Sequence, residues 1–342
     1  MKKYLFMAVA ALATLTACQP GDEPQAIVQT REICFAPAAQ TRAAATAVGN
    51  EKALQDNGFA VYGFQGADAI FANTKVVYNS DAIASLGLTS GTHYDVNLWA
   101  PAVAADVRYW ANASYKFSGA YPATGNGYVM DKDGKQTITN FVNNGTVDLL
   151  VSNVVLVDNT ADTKSAVALN FEHMLSRVKF TFKNGFDGNE VIEIKDVVIY
   201  DAGKTASATI AGGDTKPVPT WTITDKANID FGDMDSESEN ARFGKNAKDT
   251  TCYKYIIPGE ESYTMGFTLI VYSEGVQVAT KTYSVDNNNA ITVKPNAAFA
   301  PGQGYNFTAT INANKAGDIY PIQFSVDVEP WKEDQNYDLE LN

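Results

Sequence analysis

Histidine is the side chain most often used for acid–base chemistry near neutral pH, and this sequence has only two, His93 and His173. They lie about 80 residues apart, and neither a GxSxG nor an HExxH motif accompanies them. A catalytic histidine needs an oriented partner side chain. We therefore interpret both as packing or hydrogen-bonding residues, and we predict a protein that is not an enzyme and has no cofactor.

Two acidic stretches are candidates for cation sites. In Asp131–Gly134 the glycine and carboxylates are in the wrong register for a calcium loop, and the Asp-Gly pair predicts a hairpin turn. The run Asp233–Glu239 alternates carboxylates but lacks a glycine turn, which favours a solvated loop and leaves cation binding open. The three cysteines, Cys18, Cys34 and Cys252, show no CxxC spacing, so no metal site is predicted.

Arg42 suggests a different chemistry, proteolysis. It lies in a run of small residues after the short apolar strand-former Ile33, Cys34, Phe35. In the simpler interpretation this is an opening strand followed by a loop that contains an arginine. In the other, a protease cuts between Arg42 and Ala43, because nicking concentrates at exposed loops of small and polar residues. That cut would free the strand and leave its neighbours with unpaired N–H and C=O groups, a template for a strand from another molecule.

The first 18 residues have the features of a secretory signal peptide. Two lysines precede an apolar stretch, Tyr4–Leu12, that is too short to span a membrane as a mature helix. The stretch ends in Leu15–Cys18, which resembles a bacterial lipobox and predicts lipidation of Cys18. The alternative is an ordinary signal peptide. The cysteine at its cleavage point would then be a coincidence in a chain that has only three cysteines.

Residues 19–42 read as a polar tether followed by the removable first strand. Asp22 and Glu23 resemble the acidic export signal of Bacteroides-type surface lipoproteins, so we predict an outer-membrane lipoprotein precursor that reaches the cell surface. Cleavage after Arg42 would remove the lipid and leave Cys252 as the only cysteine. No disulfide would then form within the mature subunit.

The composition is that of a globular protein rich in β-formers, with 45% hydrophobic and 19% charged residues. The formal net charge of −13 repels phosphate backbones, so nucleic acid is excluded as a partner. At roughly 150 residues per domain, the 342 residues predict about two domains.

Strand-like segments separated by turn signals dominate the chain, which predicts an all-β fold of antiparallel, Greek-key β-sandwiches. We place an N-terminal domain at 43–174 and a C-terminal domain at 175–342, divided at a break within Val167–Phe182. No helix of useful length is expected, because Ala43–Asp56 lacks an apolar stripe. The other predicted strands are Phe59–Phe64, Lys75–Tyr78, Val96–Trp99, Arg108–Trp110, Tyr115–Tyr121, Tyr128–Met130, Thr137–Ile138, Asp148–Ser152, Val191–Tyr200, Trp221–Thr224, Tyr253–Ile257, Ser262–Tyr272, Val276–Val285, Ile291–Val293, Gly304–Ile311 and Ile322–Val328.

The four tryptophans, Trp99, Trp110, Trp221 and Trp331, lie on or beside predicted strands. Rings at such positions usually fill a core. An exposed aromatic platform for a sugar would use the same residues, so carbohydrate binding stays open as the less favoured alternative.

Taken in order, several segments resemble the fimbrillin family, the subunits of Bacteroides-type (type V) fimbriae. The resemblance begins with the lipobox and with the strand followed by Arg42. It rests on these segments: Phe59–Gly63, Leu98–Pro101, Tyr115–Phe117, Ala120–Pro122, Asp148–Leu150, Leu169–Val178, Pro301–Tyr305 and Val328–Trp331.

The resemblance implies two tandem transthyretin-like β-sandwiches in a lipoprotein precursor. It also implies a trypsin-like protease that cuts after an arginine following the first strand, here Arg42. The opened groove would be filled by a strand from another fimbrial subunit, giving a fimbrium for adhesion and colonisation. Arg31 precedes the strand, so cutting there would leave the groove closed.

The donor strand is less defined by the sequence. The C-terminal tail alternates suitably at Tyr337, Leu339 and Leu341. Ile322–Val328 alternates too, but such a segment is more often the last strand of its own sandwich. The competing function is an anchored surface lipoprotein that binds a glycan or host ligand without polymerising.

Overall fold

The computed structural model describes residues 32–39, 48–78, 99–159, 166–232, 242–245, 248–312 and 322–330, and most of them are in β-strands. A helix, α1 (Val48–Asn57), and a 3-10 turn (Ala104–Asp106) complete the elements. The strands are β1 (Phe35–Ala39), β2 (Phe59–Gln65), β3 (Asp68–Tyr78), β4 (Trp99–Pro101), β5 (Ala113–Tyr121), β6 (Tyr128–Met130), β7 (Gln136–Val142), β8 (Leu150–Ser152), β9 (Val155–Asn159), β10 (Val167–His173), β11 (Ser176–Asn184), β12 (Val191–Ala211), β13 (Val218–Gly232), β14 (Arg242–Phe243), β15 (Lys248–Thr250), β16 (Lys254–Ile256), β17 (Tyr263–Ser273), β18 (Val276–Tyr283), β19 (Ile291–Val293), β20 (Gln303–Ile311) and β21 (Phe324–Pro330).

The N-terminal sheet has the strand order β2-β3-β4-β1-β10-β8-β5-β9. Because β2 also pairs with β5, the sheet closes on itself around one aromatic core. Phe59, Phe71, Phe117 and Phe171 are fully buried there. The inward residues alternate with exposed ones along β10, as expected for a sheet with one face on a core.

Two further sheets build the C-terminal half. The order β15-β11-β20-β21 forms one layer, and the other runs β18-β17-β12-β7-β6, with β13, β14 and β19 added at its sides. Phe180, Phe182, Phe267 and Phe307 are buried between the layers. The structure is therefore all-β, as predicted.

The long hairpin of β12 and β13 links the two halves. The first part of β12, Val191–Tyr200, pairs with β17, and its second part, Thr205–Ile210, pairs with β7 from the N-terminal half. We call the cluster around this second part the junction core; its members are Ala120, Tyr128, Met130, Ile138, Phe141, Leu149, Val151, Val154, Met174, Leu175, Ala206, Ala208, Ile210 and Ile257. Strands from both sides of the predicted boundary at 174 thus share one sheet and one core, and the boundary itself stays a prediction.

A buried polar network lies beside the junction core. The Tyr128 hydroxyl donates to Ser118 Oγ at 2.7 Å, and Gln136 Nε2 donates to Tyr128 Oη at 2.8 Å and to the carbonyl of Ser152 at 2.8 Å. Burial raises the pKa of Tyr128, because its charged form would be cut off from water. The network ties β6 and β7 to β5 and β8, which belong to a different sheet.

Two ladders differ from the expected antiparallel pattern. β1 pairs with β10 in parallel, and β11 pairs with β20 in parallel. In each case the first strand of a half pairs with a strand that is distant in sequence. No hairpin turn connects the two strands, so they need not be antiparallel. The two halves thus begin in the same way, with a parallel ladder.

Most local predictions are confirmed. The turn at Asp131–Gly134 joins β6 to β7, with Gly134 N donating to the carbonyl of Asp131 at 3.0 Å and Gly134 at φ 84°. The break predicted within Val167–Phe182 is present at Met174 and Leu175. The prediction of a strand at Arg108–Trp110 was wrong, because Tyr109 in this segment forms only an isolated bridge to Glu32.

The expectation of no useful helix was also wrong, because α1 forms over Val48–Asn57. Its sequence lacks an apolar stripe, but Leu54 is buried in the N-terminal core. Gly58, at φ 72°, follows the helix and donates its N–H to the carbonyl of Leu54 at 2.7 Å, a typical helix C-terminus. Tertiary packing of one leucine thus replaces the missing stripe. Among the described residues, no helix is long and apolar enough to cross a membrane.

Candidate functional site

The predicted removable segment lies inside the N-terminal sheet, between β4 and β10. Phe35–Ala39 runs parallel to Val167–Phe171, and Phe35 is also paired with Trp99 of β4. Before the strand begins, Ile33 donates its N–H to the carbonyl of Arg108 at 2.8 Å. The segment is thus hydrogen-bonded to the body of the domain on both sides.

The strand lies slightly later than the sequence pattern indicated. The apolar residues Ile33, Cys34 and Phe35 predicted a strand at 33–37, whereas the ladder covers Phe35–Ala39, whose Ala-Pro-Ala-Ala end is poor in β-formers. The Cys34 carbonyl accepts from Val167 N at 2.8 Å, so alternation along a parallel ladder directs the N–H groups of 36 and 38 to β10. The Pro37 nitrogen therefore faces the other edge, where its missing N–H removes no bond of this ladder.

The segment fills the aromatic core with two side chains. Ile33 is 0% exposed and Phe35 is 1% exposed. The Phe35 ring packs edge-on against Phe71 at 5.6 Å and Phe117 at 5.9 Å between centroids. Burying two such side chains is worth roughly 1.5–3 kcal/mol each, so the segment is a substantial part of the core. Cys34 is buried in a small separate cluster with Ala100 and Val107.

Removing the segment would open a groove with defined walls. One wall is β10, whose edge facing β1 would lose its partners at Val167–Phe171. The other wall consists of Trp99 and the carbonyl of Arg108, and the floor is the pocket left by Ile33 and Phe35. We call this space the β1 groove. It requires an apolar side chain at alternate positions and main-chain donors and acceptors, which is the chemistry of an added β-strand.

The equivalent strand of the C-terminal half is held more firmly. β11 runs parallel to β20 over Arg177–Asn184 and also pairs with β15 and β16 on its other side. β1 has a shorter ladder with β10 and a single paired position on β4. Of the two equivalent strands, β1 is therefore the one that can leave at lower cost.

Sequence reasoning found the segment but missed its partners. The alternation of Val167, Leu169 and Phe171 predicted a strand, yet nothing in the sequence indicated that it lies beside residues about 130 positions earlier. The hydrogen bond from Ile33 N–H to the main-chain carbonyl of Arg108 was also missed. A main-chain carbonyl is present at every residue, so the sequence does not indicate which one accepts.

Several predicted site residues lie outside the described residues. They are Cys18, Arg42, Ala43, His93, the acidic run Asp233–Glu239, Trp331 and the tail residues Tyr337, Leu339 and Leu341. The described chain before this gap ends with β1 at Ala39, three residues before Arg42.

The remaining candidates have structural surroundings. His173 is 8% exposed, and its Nδ1 lies 2.7 Å from Asp148 Oδ2. This contact joins the end of β10 to the segment just before β8. Trp99 and Trp110 are buried in the N-terminal core, as predicted for core rings, and Trp221 is partly buried. Within the described ranges, no group of three or more His, Cys, Asp or Glu side chains could hold a metal ion.

Comparison with known proteins gives a consistent result. A model of the family described as fimbrillin-like matches residues 41–331, which is most of the chain. No curated protein matches the sequence.

Among solved structures, a fimbrial protein from Bacteroides vulgatus is 12% identical, with a TM-score of 0.51 over 88% of this chain and 100% of that one. The fimbrial anchor protein Mfa2 from Porphyromonas gingivalis is 11% identical, with a TM-score of 0.36 over 88% of this chain and 98% of that one. At 12% identity the first likeness concerns the fold. On the family match, the chain belongs to the fimbrillin-like family.

Proposed function

We propose that this protein is a fimbrial subunit precursor in which β1 is removed by cleavage after Arg42 and replaced by a strand from another subunit. Membership of a fimbrillin-like family supports a fimbrial subunit that assembles with other subunits into a cell-surface appendage. The same membership favours a structural over an enzymatic role. The processing, the lipid anchor and the strand exchange are our proposals.

The observation that carries the proposal is the placement of β1. It is a short strand inside a closed sheet and is paired mainly with β10. Its first residue, Phe35, is buried, and so is Ile33 just before it. Its end at Ala39 is close in sequence to Arg42, so one cut separates the strand from the rest of the domain. Cleavage would also separate the lipid at Cys18 from the subunit.

Strand replacement favours polymers for a geometric reason. A strand from a neighbour restores the main-chain bonds to β10 and refills the two apolar positions. Because the donor and the groove are different surfaces, the contact is heterologous and need not close into a ring. Subunits joined in this way grow into a fibre.

We propose the C-terminal tail, with Tyr337, Leu339 and Leu341, as the donor. β21 is already used as the last strand of its own sheet, where Phe324 packs against Phe180 and Phe182. Using β21 as a donor would therefore cost that packing, whereas the tail after it is sequence with alternating apolar residues.

The first test replaces Arg42. We expect Arg42→Ala to be exported and lipidated but to form no filaments, because β1 stays attached and the groove stays filled. N-terminal sequencing of the surface protein and electron microscopy are the measurements, with Ala43 expected as the first residue of the wild-type subunit.

Arg31→Ala is the matched control, since Arg31 precedes β1 and cutting there would not open the groove. Normal filaments from Arg42→Ala would contradict the proposal. A wild-type surface protein that starts at Cys18 and stays anchored would support the competing ligand-binding lipoprotein.

The second test removes residues 333–342. We expect a folded, correctly cleaved monomer, because the sandwiches described here end at β21 and the tail is needed only by the next subunit. Size-exclusion chromatography and circular dichroism measure assembly and folding. Unaltered polymers would rule out the tail as donor.

A further inference from the structure

A polar cleft lies over β10, on the face opposite the aromatic core. It has a volume of about 230 Å³. Its floor comes from β10 and the residue after β8, and its wall comes from the turn between β12 and β13; the polar lining residues are Asn153, Asn170, Glu172, Asp214, Thr215 and Lys216.

Hydrogen bonds from main-chain and side-chain donors hold the turn against the N-terminal sheet. Val154 N donates to the carbonyl of Gly213 at 2.7 Å, and Asn153 Nδ2 donates to the carbonyl of Asp214 at 3.3 Å. Within the turn, Thr215 Oγ1 donates to the carbonyl of Gly212 at 2.6 Å. The cleft is therefore a formed feature with a wall that belongs to the C-terminal half of the chain.

The floor of the cleft is one strand away from β1. Asn170 is level with position 38 in the parallel ladder. Neighbouring strands lie about 4.8 Å apart, and side chains at the same level share a face of the sheet. A long side chain at this level of the strand in the β1 groove can therefore reach the cleft from the side.

The sequence of β1 has alanine at positions 36 and 38, and an alanine side chain forms no hydrogen bond. The cleft contains two carboxylates, Glu172 and Asp214, and one ammonium group, Lys216. Lys216 Nζ is bound to Glu172 Oε2 at 2.8 Å, and the Glu172 side chain is only 12% exposed. The balance of charge favours an incoming side chain that is neutral or basic.

We propose that this cleft recognises the replacing strand by binding one hydrogen-bonding side chain, neutral or basic, at the level of Asn170. This rests on the proposed strand replacement and sets the register of the proposed donor. With Tyr337, Leu339 and Leu341 facing the core, Asn336 or Asn342 would lie at that level, and the acidic Asp338 and Glu340 would not. The inner face of the groove selects apolar residues, which β1 also has, and the cleft adds a contact that β1 lacks. An incoming strand with such a side chain is thereby favoured over β1.

The test compares three ten-residue peptides for binding to the precursor after cleavage following Arg42. One has the native sequence of residues 32–41, the second has Ala38→Gln, and the third, as matched control, has Ala36→Gln, which is level with Ala168 outside the cleft. We expect the Ala38→Gln peptide to bind about three- to tenfold more tightly than the native one, the gain of about one hydrogen bond. The Ala36→Gln peptide should stay within about twofold of the native one, because its side chain lies level with Ala168, which does not line the cleft. Fluorescence anisotropy of labelled peptides measures the affinities.

Two protein variants locate the gain. Asp214→Ala and Lys216→Met, both in the turn between β12 and β13 and outside the β1 groove, should each reduce the advantage of the Ala38→Gln peptide and leave binding of the native peptide unchanged. Lys226→Met is the control, since Lys226 is on the same hairpin and pairs with Glu260 at 2.9 Å away from the cleft. Equal binding of both glutamine peptides, or an advantage that survives in both cleft variants, would overturn this inference alone. Binding of none of the peptides would instead overturn the β1 groove and, with it, the proposed function.

Discussion

At the scale of single residues, the Phe35 ring anchors the removable segment in the N-terminal core. It is 1% exposed and meets Phe71 and Phe117 edge-on. An aromatic ring at the start of a strand can thus hold an otherwise alanine-rich segment in place. The sequence identified this position because a large apolar residue stands beside a run of small ones.

We predict that Phe35→Ala destabilises the uncut precursor by about 3–5 kcal/mol, the usual cost of deleting a buried phenylalanine ring. Urea unfolding followed by tryptophan fluorescence measures the change, since Trp99 and Trp110 are in the same core. Leu156→Ala is the control, because Leu156 is 60% exposed and its loss should change the free energy of unfolding by less than about 0.5 kcal/mol. Similar stability of Phe35→Ala and Leu156→Ala would show that the segment is not part of the folded core.

At the scale of elements, the parallel ladder between β1 and β10 decides what cleavage exposes. β8 pairs with β10 only at Phe171–His173, on the opposite edge from β1. The β10 edge that faces β1 would therefore be open over Val167–Phe171 once β1 has left. An open edge of this length is the template that a new strand needs.

We predict that amide exchange in β10 rises at least about tenfold when the segment 32–42 has dissociated, because Val167 N then loses the carbonyl of Cys34. Exchange should fall again when a strand peptide occupies the groove. Hydrogen–deuterium exchange with mass spectrometry reports both changes. β20 is the internal control, since its parallel partner β11 stays in place; unchanged protection of β10 would mean that β1 is not what covers this edge.

At the scale of the whole molecule, the two halves are joined more closely than tandem domains connected by a linker. β12 pairs with β17 of the C-terminal half and with β7 of the N-terminal half. Trp221 of β13 packs 5.9 Å from Phe141, and its Nε1 donates to the carbonyl of Met174 at 3.1 Å. The two halves are therefore held together by hydrogen-bonded strands as well as by a shared core.

We predict one cooperative unfolding transition for the wild-type protein and two for Trp221→Ala, because the junction core then loses the partly buried ring that packs against it from β13. The N-terminal half should become less stable by about 1–3 kcal/mol, within the usual range for a partly buried site. Differential scanning calorimetry separates the transitions. Val218→Ala on the same strand is the control, since Val218 is 50% exposed; two transitions already in the wild type would disprove the coupling.

The sequence by itself determined the all-β class, most of the strands and the opening segment near Arg42. Alternating apolar residues and turn residues are local signals, and local geometry converts them directly into strands and turns. Resemblance along the chain also indicated the family that the comparison later showed.

Only the tertiary structure decided which strands are neighbours. The parallel pairing of β1 with β10, the extension of β1 through Ala-Pro-Ala-Ala, the helix α1 with one buried leucine and the shared sheet of the two halves all depend on contacts between distant residues. The same holds for the polar cleft, whose floor and wall come from different halves. The type of side chain does not indicate which distant residue a main-chain N–H or C=O group will bind. These partners are therefore determined only when the whole chain packs.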